Sequence, residues 1–384
     1  MTLRIGFLIS HPIQYYTPIF RELAKRCDLT VYFAHRQSAE QQASAGFGVS
    51  FDWDIDLLSG YRSHFLTNVS RRPSTGHFWG CNTPDIFREV ATGGFDAFVV
   101  PGWFLWTYWQ AVRACRRVGV PVLVRGDSQI HSQRNALLRY AKGLGFARLL
   151  RSFDGYLYVG QRNREYLTHY RVPESRLFFS PHCVDNDSFR IGARAAHGRA
   201  VGEGARSAGI KRLLFVGKLI ARKNPLDLLR AAALMQGRGM SLEVAFAGSG
   251  ELAGSLESFA KTAGLAVRFH GFVNQSRLPE IYATADVIAL PSDANETWGL
   301  VINEAMACGV PAVVSSAVGC GPDLIEPGAT GATFRTGDVA GMAAALESVL
   351  AFEPSATERR LAERMQVYSP AGAADGIVQA ANSL

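Results

Sequence analysis

The sequence has no uninterrupted apolar run of about 18 residues, so no stretch of it reads as a bilayer-spanning helix. It has no Cys-x-x-Cys pair either. Its six cysteines, Cys27, Cys81, Cys115, Cys183, Cys308 and Cys320, are scattered in a way that suggests neither a zinc site nor a disulfide framework. The opening MTLRIGFLIS lacks the basic flank, the longer apolar region and the small-residue cleavage site of a secretory signal. A cytoplasmic chain with reduced thiols is the expectation. Charge is also sparse, 19% against 48% hydrophobic residues, which is the composition of a well-packed globular chain. What the first half lacks most is acid: residues 1–190 hold 23 Lys and Arg against 15 Asp and Glu, a balance of +8, while the remainder balances at −1. A positive field confined to one half points to an anionic partner for that half. No nucleic-acid motif accompanies the charge, so nucleic acid is not the expected partner.

What is present is a repeated alternation of short strands and amphipathic helical stretches. RIGFLIS, LTVYFA, AFVVPG, PVLVRG and GYLYVG occupy the first half, and LLFVGKL, EVAFAG, VRFHGF, VIALPS and PAVVSS the second. Short Val-, Ile- and Phe-rich strands separated by helices predict parallel sheets covered on both faces. At 384 residues, two such α/β domains are expected. AAHGRAVGEGARSAGIK, rich in Gly, Ala and charge and without apolar periodicity, reads as an exposed linker. The predicted division is a Rossmann-like domain over 1–190, a linker over 191–210, a second Rossmann-like domain over 211–365, and a terminal segment 366–384 that packs back across the junction.

The chemistry concentrates in LPSDANETWGLVINEAMACGVPAVVSS, residues 290–316. A strand ends at Pro291, a polar loop follows, and GLVINEAMAC has the composition of a helix closed by Gly309 and Pro311. Glu296 falls in the loop and Glu304 in the second turn of the helix. The backbone N–H groups around Gly299, Leu300 and Val301 lie at the positive end of the helix dipole without intrahelical partners, a setting that attracts a diphosphate. One carboxylate can then accept hydroxyl hydrogens from a sugar and the other those of a ribose, which suits a nucleotide-sugar.

Two glutamates with seven residues between them, followed by a Gly-x-Pro-x-Val strand, resemble the retaining family-4 glycosyltransferases. The resemblance runs nearly continuously over residues 211–350. FVGKLIARKNPLDLLRAA (215–232) resembles the segment that places Lys218 and Lys223 at the pyrophosphate-binding positions, with Lys218 where relatives commonly have Arg. FAGSGEL (246–252), VRFHGFV (267–273) and LPEIYATADVIALPS (278–292) resemble the succeeding elements in order, and SPHCVDNDSF (180–189) resembles the family's hinge strand. The resemblance implies the GT-B fold, an α/β architecture in which two Rossmann-like domains face each other across a cleft. It implies a nucleotide-sugar donor, UDP- or GDP-linked, held by Gly217, Lys218, Lys223, Gly248, Gly271, Phe272, Glu296, Trp298, Gly299, Leu300, Val301 and Glu304. It also implies transfer with retention to a glycan or lipid-linked acceptor bound by the first domain, in cell-surface polysaccharide or glycoconjugate synthesis. An epimerase or hydrolase of the same fold, or a non-catalytic nucleotide-sugar-binding partner, would use the same donor residues.

The first domain departs from the family pattern. Where most relatives carry a glycine-rich turn, this chain has SHPIQYYTPIF with His11, Gln14 and Tyr15, side chains in place of bare amides. His11 has two readings, a contact to donor or acceptor and a cap for the following helix. PVLVRGDS puts Asp127 where relatives carry a histidine over the donor sugar. A carboxylate there can bind the sugar, orient the acceptor or take its proton; a turn-forming Asp is the other reading. Catalytic candidates are thus Glu296, Asp127, Lys218 and Lys223. Trp103, Trp106 and Trp109 form either a sugar-stacking face or, more simply, core. Asp52, Asp54 and Asp56 make a D-x-D-x-D run of the kind that holds metals, but their apolar neighbours alternate as in a half-buried strand, which would put the aspartates on its outer face. With lysines and helix amides to neutralise the diphosphate, no metal and no other cofactor is expected. The basic amphipathic stretch 134–153 suits either an anionic membrane surface or an ordinary domain helix.

Overall fold

The computed structural model describes residues 2–38, 52–130, 145–146, 148–202 and 209–384. Two wholly parallel sheets organise them. The first runs β3-β2-β1-β4-β5-β6-β7, with β1 Arg4–Ile9, β2 Asp28–Phe33, β3 Arg62–Phe65, β4 Ala97–Val100, β5 Val122–Gly126, β6 Gly155–Tyr158 and β7 Leu177–Phe179. The second runs β10-β9-β8-β11-β12-β13, with β8 Lys211–Val216, β9 Leu242–Ala247, β10 Ala266–Phe269, β11 Val287–Leu290, β12 Ala312–Ser315 and β13 Gly331–Phe334. The central strands β4, β11 and β12 are buried along their whole length because helices cover both faces. In each sheet the strand order reverses direction beside its first strand, between β1 and β4 and between β8 and β11. Open parallel sheets leave a crevice beyond the carboxyl ends of the strands at such switch points. The loops after β1, β4, β8 and β11 therefore define where a ligand would sit.

Four helices follow strand ends along the chain. α1 (Thr17–Ala24) follows the β1 loop, α2 (Gln161–His169) follows β6, α3 (Asn186–Gly202) leads out of the first sheet, and α4 (Pro225–Gly237) follows the β8 loop after a turn at Asn224. The second domain continues through α5 (Leu300–Ala307) to α6 (Pro354–Val367) and α7 (Pro370–Asn382). α7 returns to the first domain, where Ala373, Ala374, Ile377, Ala380 and Ala381 join the core formed by Ile5, Phe7, Phe20 and Leu23. Small residues let it lie directly on β7, with Gly376 against the Phe179 carbonyl.

Two local expectations give way. The stretch 191–210 read as linker begins as helix: α3 runs to Gly202, and Phe189 and Ala193 bury its inner face in the core that contains Tyr282. Its Ala and Arg residues are helix formers, which outweighed the weak periodicity. Residues 203–208 lie outside the described residues. The alternation at 51–57 does not make a strand, since residues 52–61 are irregular. Asp54 instead accepts from the Ser276 backbone N–H at 3.1 Å, across the cleft, and Asp56 accepts from Leu58 N–H at 3.0 Å within its own turn. Asn274 Nδ2 reaches the Asp52 carbonyl at 2.8 Å beside this contact. Residues 134–144 and 147 of the basic stretch are outside the described residues. Of its remainder, Phe146, Leu150 and Phe153 are core.

Candidate functional site

Three glycines follow neighbouring strands of the second sheet, Gly217 after β8, Gly248 after β9 and Gly271 after β10. Gly217 N–H donates to Ala247 O at 2.9 Å and Gly248 N–H to Gly271 O at 2.7 Å, so the loops after β8, β9 and β10 are laced into one floor. Gly217 and Gly248 both take positive φ, and a side chain on Gly248 would strike the Gly217 carbonyl. The segment that follows Gly217 carries Lys218, Arg222 and Lys223. Burial and the neighbouring Arg222 and Lys223 charges push the Lys218 ammonium below its ordinary range. Cations crowded closely enough to depress one another are stabilised by an added anion. Phe272, which follows Gly271, is half-buried at the same edge.

The β11 loop supplies the acids. Glu296 is ion-paired with Lys223, both side chains being nearly nine-tenths buried. Its loop is pinned to the β8 loop by Asp293 N–H to Arg222 O at 2.9 Å and Asn224 Nδ2 to Pro291 O at 3.1 Å. Gly299 turns the chain at φ 100° into α5, whose N-terminus has no side-chain cap, with Leu300 and Val301 half-buried in its first turn. Glu304, one turn on, is buried among apolar groups. Its carboxylate accepts from the Tyr282 hydroxyl at 2.7 Å and from Gln275 Nε2 at 3.4 Å. Burial raises Glu304 to about 7, the two donated hydrogen bonds opposing the rise.

The first domain closes the other side. Asp127, at the end of β5, accepts from Thr297 Oγ1 at 2.7 Å, next in sequence to Glu296, while about half of its side chain stays open. His182 Nε2 lies 4.0 Å from the same carboxylate. His182 is buried, its Nδ1 is without a partner, and burial beside Arg125 holds its pKa well below the usual imidazole value. Gln129 Nε2 donates to Ala294 O at 3.0 Å and Glu296 O at 3.3 Å, so first-domain side chains fix the loop that carries the acid. In the β1 loop, His11 Nδ1 lies 2.9 Å from Ser10 Oγ. His11 is not a helix cap, because no side chain caps α1; burial and nearby His35 lower it to about 4. Gln14 sits in the turn before α1, half-exposed.

The predicted donor residues thus gather at one edge, with one exception. The Trp298 indole turns away into the domain junction, 4% exposed, donating to Asn303 Oδ1 at 2.8 Å and lying 5.4 Å from the His182 ring. Gly160 of the first domain packs on it, where any side chain would collide. Trp103 and Trp109 pack on the first-domain core, and Trp109 donates to Trp103 O at 3.0 Å, whereas Trp106 belongs to a surface cluster. Asp52, Asp54 and Asp56 serve the inter-domain contact and a turn. Among the described residues no three His, Cys, Asp or Glu side chains converge as a metal would need. Tyr282, Gln275, Gln129 and His182 are the residues that sequence reasoning missed. None carries a local signal: Tyr282 lies in the short helix Leu278–Tyr282, Gln275 in the turn before it, and Gln129 and His182 in the loops after β5 and β7.

Residues 204–367, which take in most of the second domain, match the family model described as "Glycosyl transferases group 1". A D-inositol 3-phosphate glycosyltransferase of Mycobacterium sp. (strain KMS) is 36% identical over 189 residues, a stretch that takes in 48% of this chain and 42% of that protein. The chain thus matches less than half the length of that curated relative. Among solved structures, Anabaena HepE in complex with UDP and glucose superposes with a TM-score of 0.69 at 17% identity, covering 100% of both chains. Sucrose-phosphate synthase from Thermosynechococcus elongatus does so with 0.66 at 18%, covering 98% of each. The fold is the two-domain GT-B arrangement.

Proposed function

We propose that this chain, whose second half is a group 1 glycosyltransferase domain, transfers a sugar with retention from a nucleoside-diphosphate sugar to a glycan or lipid-linked acceptor of cell-surface glycoconjugate synthesis. The observation that carries the reading is the cluster of Lys218, Arg222 and Lys223 in the loop after β8, with Lys223 paired to Glu296 in the loop that leads into the uncapped end of α5. A diphosphate leaving group needs fixed cations and amides in that position. Glu296 then meets the transferred sugar and Glu304 the ribose hydroxyls. The HepE neighbour is described with UDP and glucose, which supports a UDP-linked donor.

Retention is what the resemblance to the retaining family-4 glycosyltransferases implies. Asp127 and Glu296 approach the cleft from opposite domains. In this reading the acceptor enters on the leaving-group side, and the departing phosphate takes its proton while Lys218, Lys223 and the α5 amides hold the growing charge. The chain's contribution is alignment and charge stabilisation, and no metal is required. Calorimetric titration with UDP, GDP, UDP-glucose and GDP-mannose tests donor binding, and the anomeric coupling of the product tests retention. No binding to any of the four, or an inverted product, overturns the reading. Conversion of donor alone into an epimer would mark an epimerase.

A further inference from the structure

Two aromatic side chains stand exposed among the described residues, Trp79 at 60% and Phe104 at 56%. Both lie in loops beyond the carboxyl ends of first-sheet strands, Trp79 in the loop after β3 and Phe104 in the loop after β4, on the edge that faces the crevice. They are not isolated. Trp79 lies 5.1 Å from Trp106 and 4.7 Å from Phe78, ring centre to ring centre, and Phe104 precedes Trp106 by two residues. Val69, 52% exposed, is held alongside by its N–H to Asn82 O at 2.8 Å, and Ser70 Oγ donates to Trp79 O at 2.7 Å. The result is an apolar rim too extensive to be a scatter of single exposed residues.

The charge around it has one sign. No Asp or Glu occurs between Leu57 and Pro84, nor between Ala97 and Gly126. The nearest acid in sequence, Asp85, turns inward to accept the Thr67 N–H at 2.7 Å. Arg71 and Arg72 are exposed in the same loop as Trp79, and Arg113 lies over the Trp106 ring at 4.6 Å. None of the three pairs with a carboxylate among the described residues. A soluble sugar needs a flat ring with hydrogen-bonding groups at its edge, but this rim offers protruding indole and phenyl groups ringed by unpaired guanidinium. That is the chemistry of a surface seated at the headgroup level of a bilayer, aromatic bodies inserted and arginines on phosphate.

We propose that Trp79 and Phe104, flanked by Arg71, Arg72 and Arg113, dock the chain on an anionic phospholipid surface. This deepens the transferase reading, on which it rests for its purpose: it brings the acceptor crevice against the plane where a lipid-linked acceptor would emerge. The test is sedimentation of the full chain with vesicles of phosphatidylcholine containing phosphatidylglycerol, against phosphatidylcholine alone, with UDP-glucose titration of every variant in parallel. The parent is expected to bind only the anionic vesicles. Trp79→Ala with Phe104→Ala should weaken binding about tenfold by removing inserted apolar area. Arg71→Gln, Arg72→Gln and Arg113→Gln should each cost about fivefold at low salt, less as salt rises. Phe104→Ser alone, at an exposed site, provides a variant whose folding is not in question. Failure of the parent to bind, or variants that bind as the parent does, overturns the docking surface. So does binding of hyaluronan oligosaccharides, an acidic-glycan probe, that the aromatic substitutions abolish while vesicles stay unbound. Vesicle binding with no binding of UDP, GDP, UDP-glucose or GDP-mannose would leave the surface standing and remove the transferase reading.

Discussion

Affinity for a nucleotide-sugar should rise with pH through neutrality, because the carboxylate assigned to the ribose is buried enough to hold a proton. Glu304 is raised to about 7 by burial. It can accept two ribose hydroxyl hydrogens only when ionised, so the donor selects the ionised form and its binding releases a proton. With a pKa of about 7, roughly one-tenth of the carboxyl is ionised at pH 6 and nine-tenths at pH 8, so the apparent affinity should climb about tenfold, or about 1.4 kcal/mol. UDP-glucose is the right probe, since its esterified diphosphate keeps its charge over this range. Calorimetry at pH 6, 7 and 8, in buffers of different ionisation enthalpy, reads affinity and proton release together. Glu304→Gln should flatten the profile and bind weakly throughout.

The stability of the free protein carries the opposite sign. An acid whose folded pKa is raised lends its full stability below the unfolded value and loses it as pH rises through the folded one. For Glu304 that loss amounts to about 1.4 kcal/mol between pH 6 and 8. Glu304→Gln should therefore unfold at higher temperature than the parent at pH 8, with a smaller difference at pH 6. A flat affinity profile for the parent, or the same slope in the Gln variant, would refute the assignment of Glu304 to the ribose.

Tyr282→Phe removes the hydroxyl that donates to Glu304 and opposes its rise, so the midpoint of the same affinity profile should move to higher pH; an unmoved midpoint would mean that the hydrogen bond does not tune the carboxyl. Glu296→Ala should lower turnover roughly 10- to 150-fold, the loss of one charge-assisted hydrogen bond, while changing UDP-glucose affinity less. Steady-state kinetics beside calorimetry separates the two, and equal turnover would remove Glu296 from the reaction. Activity should persist in excess EDTA, because Lys218, Lys223 and the α5 amides stand where a metal would act; abolition with rescue by Mg²⁺ or Mn²⁺ is the contrary result. Asp127→Asn should keep the Thr297 contact and leave turnover within about tenfold if the departing phosphate takes the acceptor's proton, whereas a loss of about 10²- to 10⁴-fold would make Asp127 the base instead. Near-parent turnover would restrict Asp127 to holding the cleft.

The parts of this molecule legible in its sequence are those whose physics is local. β4, β11 and β12 announce themselves as short runs of Val, Ile, Leu and Phe because both faces of each are buried, and nothing else satisfies such a run. β3, with alternate residues exposed at the sheet edge, and the three-residue β7 have no such signature. The alternation around Asp54 is a strand pattern that tertiary contacts override, since the aspartate is satisfied by Ser276 some 222 positions away. The donor site divides in the same way. Glu296, Gly299 and Glu304 are readable because one loop and one helical turn contain them, and helix geometry sets their separation. Their protonation and orientation are not readable, because Tyr282 and Gln275 reach Glu304, and Gln129 the Glu296 loop, from three other elements. A short segment can specify which groups meet the donor. How strongly each holds a proton depends on desolvation by both domains, so mutations at silent positions such as Tyr282 and Gln129 are expected to alter the pH dependence and alignment of the reaction without touching the substrate.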